Sequence, residues 1–307
     1  MTPPLADALA DALADALAAG PVVLDGGLST ELEARGHDVS SALWSARLLR
    51  DEPDAVVGAH AAFAAAGAQV ATTASYQATV EGFGAAGIGR DEALGLVARS
   101  VELARRGAPG SWVAGSVGPY GAALADGSEY TGAYADRLSV ADLRAFHRPR
   151  MAALAEAGAD VLACETVPAA AEAEALLAEA TDLGVPVWLS LTTVVGADGV
   201  ARTRRGEPAG EVFAMARGVD VVVAVGVNCV PPDAVGPSLA AAASSGKPLV
   251  AYPNSGEGWD AVGRRWTGTG GVDAGAVPGW VGAGARLVGG CCRVGPAGIA
   301  GLAAMIR

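Results

Sequence analysis

The stretch VDVVVAVGVNC, residues 219–229, reads as one buried β-strand that stops on two polar residues. Its valines and alanine run without the polar alternation of a half-solvated strand. Such continuity marks a strand covered on both faces, as in parallel sheets. Asn228 and Cys229 end the run at its carboxyl side. Upstream, similar runs stand at PVVLDGG (21–27), AQVATTAS (68–75), WVAGSVGP (112–119), ADVLACET (159–166) and VPVWLSLTT (185–193). Downstream they stand at KPLVAYPNS (247–255) and ARLVGGCC (285–292).

Alanine-rich helical patterns separate most of these runs: 52–67, 91–107, 139–158, 169–184 and 232–246, each closing on a glycine, a natural helix stop. Eight strands alternating with helices predict an α/β chain folded as a (β/α)8 TIM barrel. A doubly wound open sheet is the structural alternative. The first strand is not followed by GxGxxG, which argues against a dinucleotide-binding site. Leu5, Leu9, Leu13 and Leu17 give the opening segment an apolar stripe at helical spacing, expected to pack as a helical extension (1–20) on a single barrel domain (21–307).

With 51% hydrophobic and 18% charged residues in 307, the chain has ample material for one large core. A net charge of −12 and a pI near 4.7 disfavour nucleic acid as a partner, because phosphate binding needs basic patches. No apolar run is long enough to span a membrane. The opening segment lacks a basic start, and Asp7, Asp11 and Asp15 interrupt it, so it does not read as a signal peptide. Four cysteines in such a chain fit a reducing cytoplasm. No apolar repeat names an oligomeric state.

Polar residues gather at the carboxyl ends of the predicted strands: Asp25, Thr72, Ser75, Glu165, Thr192, Asn228, Cys229, Tyr252, Asn254, Cys291 and Cys292. A barrel brings those ends to one face, where its active sites lie. Three of the four cysteines belong to this set, and thiolates suit a soft metal such as zinc. Buried cysteines also serve as small hydrophobes, the role expected of Cys164. Neighbours on a strand point to opposite faces, so the chain must turn for Cys291 and Cys292 to share an ion. Gly289 and Gly290 are expected to permit that turn through backbone angles that other residues avoid. A Cys291–Cys292 disulfide would join Cα atoms about 3.8 Å apart, below the usual minimum of about 4.4 Å. His37, His60 and His147 have no ligand spacing and read as structural or surface residues.

The motifs DGGLSTELEARGHD (25–38), TTASYQATVEGF (72–83), GSVGPYGAALADGSEY (115–130), ETVPAAAEAEAL (165–176), GVNCVPP (226–232), YPNSGE (252–257) and GGCC (289–292) resemble, in order, the homocysteine S-methyltransferases. ASYQ, GPYGA and YPNSGE are most similar to the bacterial and plant branch that uses S-methylmethionine. The resemblance implies a zinc-dependent barrel that moves a methyl group from a cationic donor to homocysteine. By motif, Cys229, Cys291 and Cys292 would hold Zn²⁺, and Asp25, Gly26, Thr72 and Glu165 would surround the amino-acid end of homocysteine. No catalytic side chain is implied beyond the metal-activated substrate thiolate.

Tyr76, Tyr120, Tyr130 and Tyr252 are candidates to line a cationic donor pocket. The loop LTTVVGADGVARTRRGE matches loosely, so the donor side is where this chain is expected to differ. The rival readings keep the zinc barrel but change the donor to S-adenosylmethionine or betaine, or change the acceptor to another thiol or selenol. A non-catalytic zinc or redox sensor would need no polar cluster, and a metal hydrolase would need histidine or carboxylate ligands.

Overall fold

The computed structural model describes residues 5–39, 43, 45–260, 265–268 and 270–306. At its centre stand eight parallel strands: β1 (Val22–Val23), β2 (Val70–Thr72), β3 (Trp112–Val117), β4 (Val161–Val167), β5 (Val187–Leu191), β6 (Val222–Asn228), β7 (Leu249–Tyr252) and β8 (Ala285–Val288). Strands pair in chain order from β2 to β8, and β8 pairs with β1. The ring closes where Leu24 bridges Val70 and the Gln69 N–H donates to the Val23 carbonyl at 2.8 Å. The predicted (β/α)8 barrel is therefore the fold, and the open doubly wound sheet is excluded.

Each strand is shorter than the apolar run that announced it. The contrast is greatest at residues 21–27, where only Val22–Val23 form a strand. Beyond it, the Asp25 carboxylate replaces a main-chain carbonyl as acceptor for the Thr72 N–H, at 2.7 Å.

Alternation along the strands sorts the side chains into two sets. Val22, Leu24, Val70, Ala114, Val161, Ala163, Trp188, Ala224, Val250 and Leu287 fill the barrel interior. Val23, Ala71, Val113, Leu162, Leu189 and Val225 face outward into the core shared with the helices. Two steps further along the strands, the inward set turns polar. Ala114 gives way to Ser116, Ala163 to Glu165, Trp188 to Ser190 and Val250 to Tyr252, all buried. The carboxyl end of the barrel is thus its polar end.

The expected helices are present as Pro53–Ala65, Arg90–Gly107, Val140–Glu156, Ala170–Leu183 and Pro232–Ala242. A capping box starts the third, with the Ser139 hydroxyl accepting the Asp142 N–H and the Asp142 carboxylate accepting the Ser139 N–H. Gly158 and Gly184, at φ 87° and 64°, turn the chain from helix into β4 and β5.

The Leu5–Ala19 helix carries Leu13 and Leu17 into the barrel's interior cluster. Trp112, the first residue of β3, packs against the same cluster, so this helix plugs the barrel's amino end. Two antiparallel hairpins rise from the opposite end. Thr193–Val195 pairs with Ala201–Thr203 after β5, and Gly258–Asp260 pairs with Arg265–Thr267 after β7.

Candidate active site and metal centre

β6 delivers Asn228 into the barrel, and Cys229 then takes a left-handed backbone, φ 51°. This turns its side chain out of strand alternation. Beyond β8 the main chain stays bonded to the continuation of β7, the Gly289 N–H donating to the Ala251 carbonyl at 3.0 Å and the Cys291 N–H to the Pro253 carbonyl at 2.8 Å.

Gly289 and Gly290 act differently from the expectation. Neither has a positive φ; it is Arg293 that takes one, at 66°. The glycines are needed for close approach. A Cβ on Gly289 would lie 2.6 Å from Leu24 Cβ, and one on Gly290 would lie 2.3 Å from Val294 Cγ1. The GGCC segment is therefore pressed against the start of the chain, which sets where both thiols stand.

The Sγ atoms of Cys229, Cys291 and Cys292 lie within 4.8 Å of one another, with Cys229 and Cys292 3.5 Å apart. A tetrahedral ion with sulfur ligands at about 2.3 Å requires sulfur–sulfur separations of about 3.8 Å. The cluster fits such an ion with small adjustments. Hydrogen bonds from the Cys291 and Cys292 thiols hold Cys229 well below the usual thiol range, while Cys291 and Cys292 are raised beside it. The Tyr130 hydroxyl stands 3.4 Å from Cys229 Sγ, and Asn228 Nδ2 points at Cys291 Sγ from 4.0 Å.

Asp25, Gly26, Thr72 and Glu165 line the same cleft as the cysteines, a cavity of about 110 Å³. Asp25 accepts from both the Thr72 N–H and the Thr72 hydroxyl, each at 2.7 Å. Glu165 accepts a short hydrogen bond from the Ser116 hydroxyl. Gly26 is held tight, since a Cβ there would lie 2.2 Å from the Val294 carbonyl oxygen. Among the described residues neither carboxylate forms an ion pair, although the more distant Arg150 charge acts on Glu165. Burial pushes Asp25 up to about 7, against its Thr72 hydrogen bonds, and the Glu165 charge adds to the rise. Burial likewise pushes Glu165 up to about 7, opposed by hydrogen bonds from Ser116 and Tyr252. Two buried carboxylates in one cleft supply the charge and the acceptor atoms that an ammonium group pairs with.

Tyr76, Tyr130 and Tyr252 line the cleft, and burial keeps all three phenols protonated. Tyr120 does not join them. It stacks on Tyr134 and Phe146 in a separate cluster, with ring centroids 5.2 and 4.8 Å away. Ser75, Thr192 and Asn254 also support rather than line the cleft. Ser75 donates to the Ser116 carbonyl, Thr192 accepts from Arg204, and Asn254 donates to the Cys229 carbonyl. Cys164 is buried among apolar side chains outside the barrel. The histidines stay clear of the thiols: His37 pairs with Glu52, His60 is buried in its helix, and His147 bonds Glu172 at 2.9 Å.

Two supports, Thr166 and Trp188, escaped the sequence reading. Thr166 sits in the left-handed region at φ 59°, a strained place for a β-branched residue. Asn228 fastens it, accepting the Thr166 N–H at 2.6 Å and donating to the Thr166 hydroxyl at 2.7 Å. Trp188, in the barrel's centre, donates its Nε1–H to the Tyr252 hydroxyl at 3.0 Å.

Residues 22–306 match the family model of the homocysteine S-methyltransferases. The chain belongs to that family. A homocysteine S-methyltransferase of Escherichia coli K12 is 45% identical, over 92% of this chain and 94% of its own. A selenocysteine Se-methyltransferase of Brassica oleracea is 41% identical, over 90% and 86% respectively. The crystal structure of the metallated E. coli homocysteine methyltransferase MmuM superposes with a TM-score of 0.82 at 43% identity, covering 93% of this chain and 96% of that one. The apo form of MmuM superposes with a TM-score of 0.73.

Proposed function

We propose that this family member transfers a methyl group from a sulfonium donor, S-methylmethionine, to the sulfur of homocysteine, forming methionine at a zinc centre held by Cys229, Cys291 and Cys292. The observation that carries this reading is one cleft holding both three convergent thiols and the buried carboxylates Asp25 and Glu165. Zinc bound there would deprotonate the homocysteine thiol and hold its sulfur in place.

The chain's own residues do the remainder. Asp25, kept in orientation by Thr72, and Glu165, kept by Ser116, receive the ammonium of homocysteine. Gly26 lets the first strand's loop lie close beneath the amino-acid end. The methyl group leaves the donor as the thiolate electron pair forms the new S–C bond. The pair of the breaking bond stays on the donor sulfur, so S-methylmethionine becomes methionine as well. Two opposite charges vanish in this step, and a buried site with few water molecules favours it. The faces of Tyr76, Tyr130 and Tyr252 suit a sulfonium.

The four free cysteines fit a reducing compartment, in keeping with action in the cytoplasm. No helix among the described residues is long and apolar enough to cross a membrane. The test is a methyl-transfer assay on zinc-loaded protein, with S-methylmethionine, S-adenosylmethionine and betaine as donors and homocysteine and selenocysteine as acceptors. Methionine formation from S-methylmethionine, lost on chelation and restored by zinc, is expected. Full activity in metal-free protein would sink the zinc reading, and no methionine from any donor would sink the function.

A further inference from the structure

Cys229, Cys291 and Cys292 line the cleft that a methyl donor must enter. Their sulfurs would stand beside that of homocysteine, and a sulfonium methyl can pass to any thiolate that reaches it. Selective transfer needs the protein's own thiolates to be the poorer nucleophiles. The Tyr130 hydroxyl, 3.4 Å from Cys229 Sγ, is placed to make one of them so. Once Cys229 is ionised as a metal ligand, only the phenol of this pair has a proton to donate. A hydrogen bond to a thiolate stabilises it, and a less basic thiolate attacks more slowly.

The segment that carries Tyr130 is fixed independently of the strand that leads to Cys229. It is a single 3-10 turn, Ser128–Tyr130, with Gly127 and Gly132 on either side at φ 83° and 64°. The Gly132 N–H closes the turn on the Ser128 carbonyl at 2.8 Å. A Cβ on Gly121 would lie 2.4 Å from the Glu129 nitrogen, and one on Gly132 would lie 3.0 Å from Arg205 Cδ. Arg205 in turn forms an ion pair with Asp136, further along the same segment. The turn is pressed between these neighbours, which holds the hydroxyl at Cys229. Tyr252 lines the same cleft, yet its hydroxyl is engaged by Trp188.

We propose that the Tyr130 hydroxyl shields Cys229 from the methyl donor, so that the methyl group passes to homocysteine and not to a metal ligand. The proposal rests on the methyl-transfer reading above. In the side reaction that it restrains, the Cys229 thiolate pair forms the new S–C bond, and the pair of the breaking bond stays on the donor sulfur. S-methylmethionine leaves as methionine, and Cys229 becomes a neutral thioether that has lost the thiolate zinc prefers.

The experiment incubates zinc-loaded wild type, Tyr130→Phe and Tyr252→Phe, matched for zinc content, with excess S-methylmethionine and no homocysteine. Mass spectrometry of the intact chain follows methylation, peptide mapping locates it, and a chromogenic chelator follows released zinc. A hydrogen bond to a charged group is worth about one to two pK units of thiolate basicity. With a Brønsted slope of about 0.4–0.5, its loss predicts Cys229 methylated ~3–10-fold faster in Tyr130→Phe than in wild type, with zinc released in step. Tyr252→Phe should methylate at the wild-type rate. Equal rates in wild type and Tyr130→Phe, methylation confined to Cys291 or Cys292, or equal acceleration in Tyr252→Phe would each overturn the shield while leaving methyl transfer standing. Zinc lost from Tyr130→Phe before donor is added would make the hydroxyl a structural support and overturn the shield as well. Wild type that makes no methionine from S-methylmethionine and homocysteine overturns the methyl-transfer reading, and the shield with it.

Discussion

Replacing Asp25 by asparagine is expected to stabilise the protein while impairing homocysteine binding. Asp25 is 3% exposed and its pKa is raised from 3.8 to about 7. Below about pH 4 the group is protonated both in the folded and in the unfolded chain, and it costs nothing. Between pH 4 and 7 the unfolded chain ionises while the folded one keeps its proton, so stability falls as pH rises. Above pH 7 the folded protein carries the whole penalty, about 3 pK units or ~4 kcal/mol at 1.36 kcal/mol per unit. Asparagine carries none of it. Its amide oxygen can still accept the Thr72 N–H, and its NH₂ can donate to the Thr72 hydroxyl.

In a chain of this size 1 kcal/mol shifts Tm by roughly 1.5 °C. Asp25→Asn should therefore melt with wild type near pH 4 and ~6 °C above it at pH 8, in substrate-free protein followed by calorimetry. The same change removes an ammonium partner, so the homocysteine KM should rise ~10–100-fold with a smaller effect on kcat. A Tm difference that is zero or negative at pH 8, or one that does not grow with pH, would refute the account of Asp25 as a charge held for substrate. So would an unchanged homocysteine KM.

Cys292→Ser should lower bound zinc from about one ion per chain to a small fraction of that, read by elemental analysis after dialysis, and abolish methyl transfer. Gly226→Ala places a Cβ 1.9 Å from the Val250 carbonyl oxygen, and should cost at least about 3 kcal/mol in urea unfolding. Leu17→Ala should cost ~2–5 kcal/mol by opening a cavity at the barrel's amino end. It should leave the KM values at the opposite end within about twofold, which steady-state kinetics will check.

The barrel was legible because its evidence is repetitive. Eight continuous apolar runs carry the same message, and an error in any one leaves the count standing. The cluster of three cysteines was legible because chemistry restricts its candidates: few side chains hold a soft ion, and most of the chain's cysteines stood at strand ends. Legibility failed where function depends on backbone placement. The reason for GG before CC was misread as freedom of φ, since a sequence does not show that Leu24 and Val294 press on those residues. Tyr120 looked equivalent to Tyr130, yet only the fold sends one to a ring cluster and the other to Cys229. The strain at Thr166 is visible in no motif, because the amide that relieves it comes from Asn228, sixty-two residues away.

The miss at Thr166 has a general physical origin. Strand ends in a barrel are where main-chain pairing stops, so side chains such as Asp25 and Asn228 take over as hydrogen-bond partners for the backbone. A substitution among them moves the backbone as well as the chemistry. The thiols at the centre are thus only as well placed as the polar collar around them.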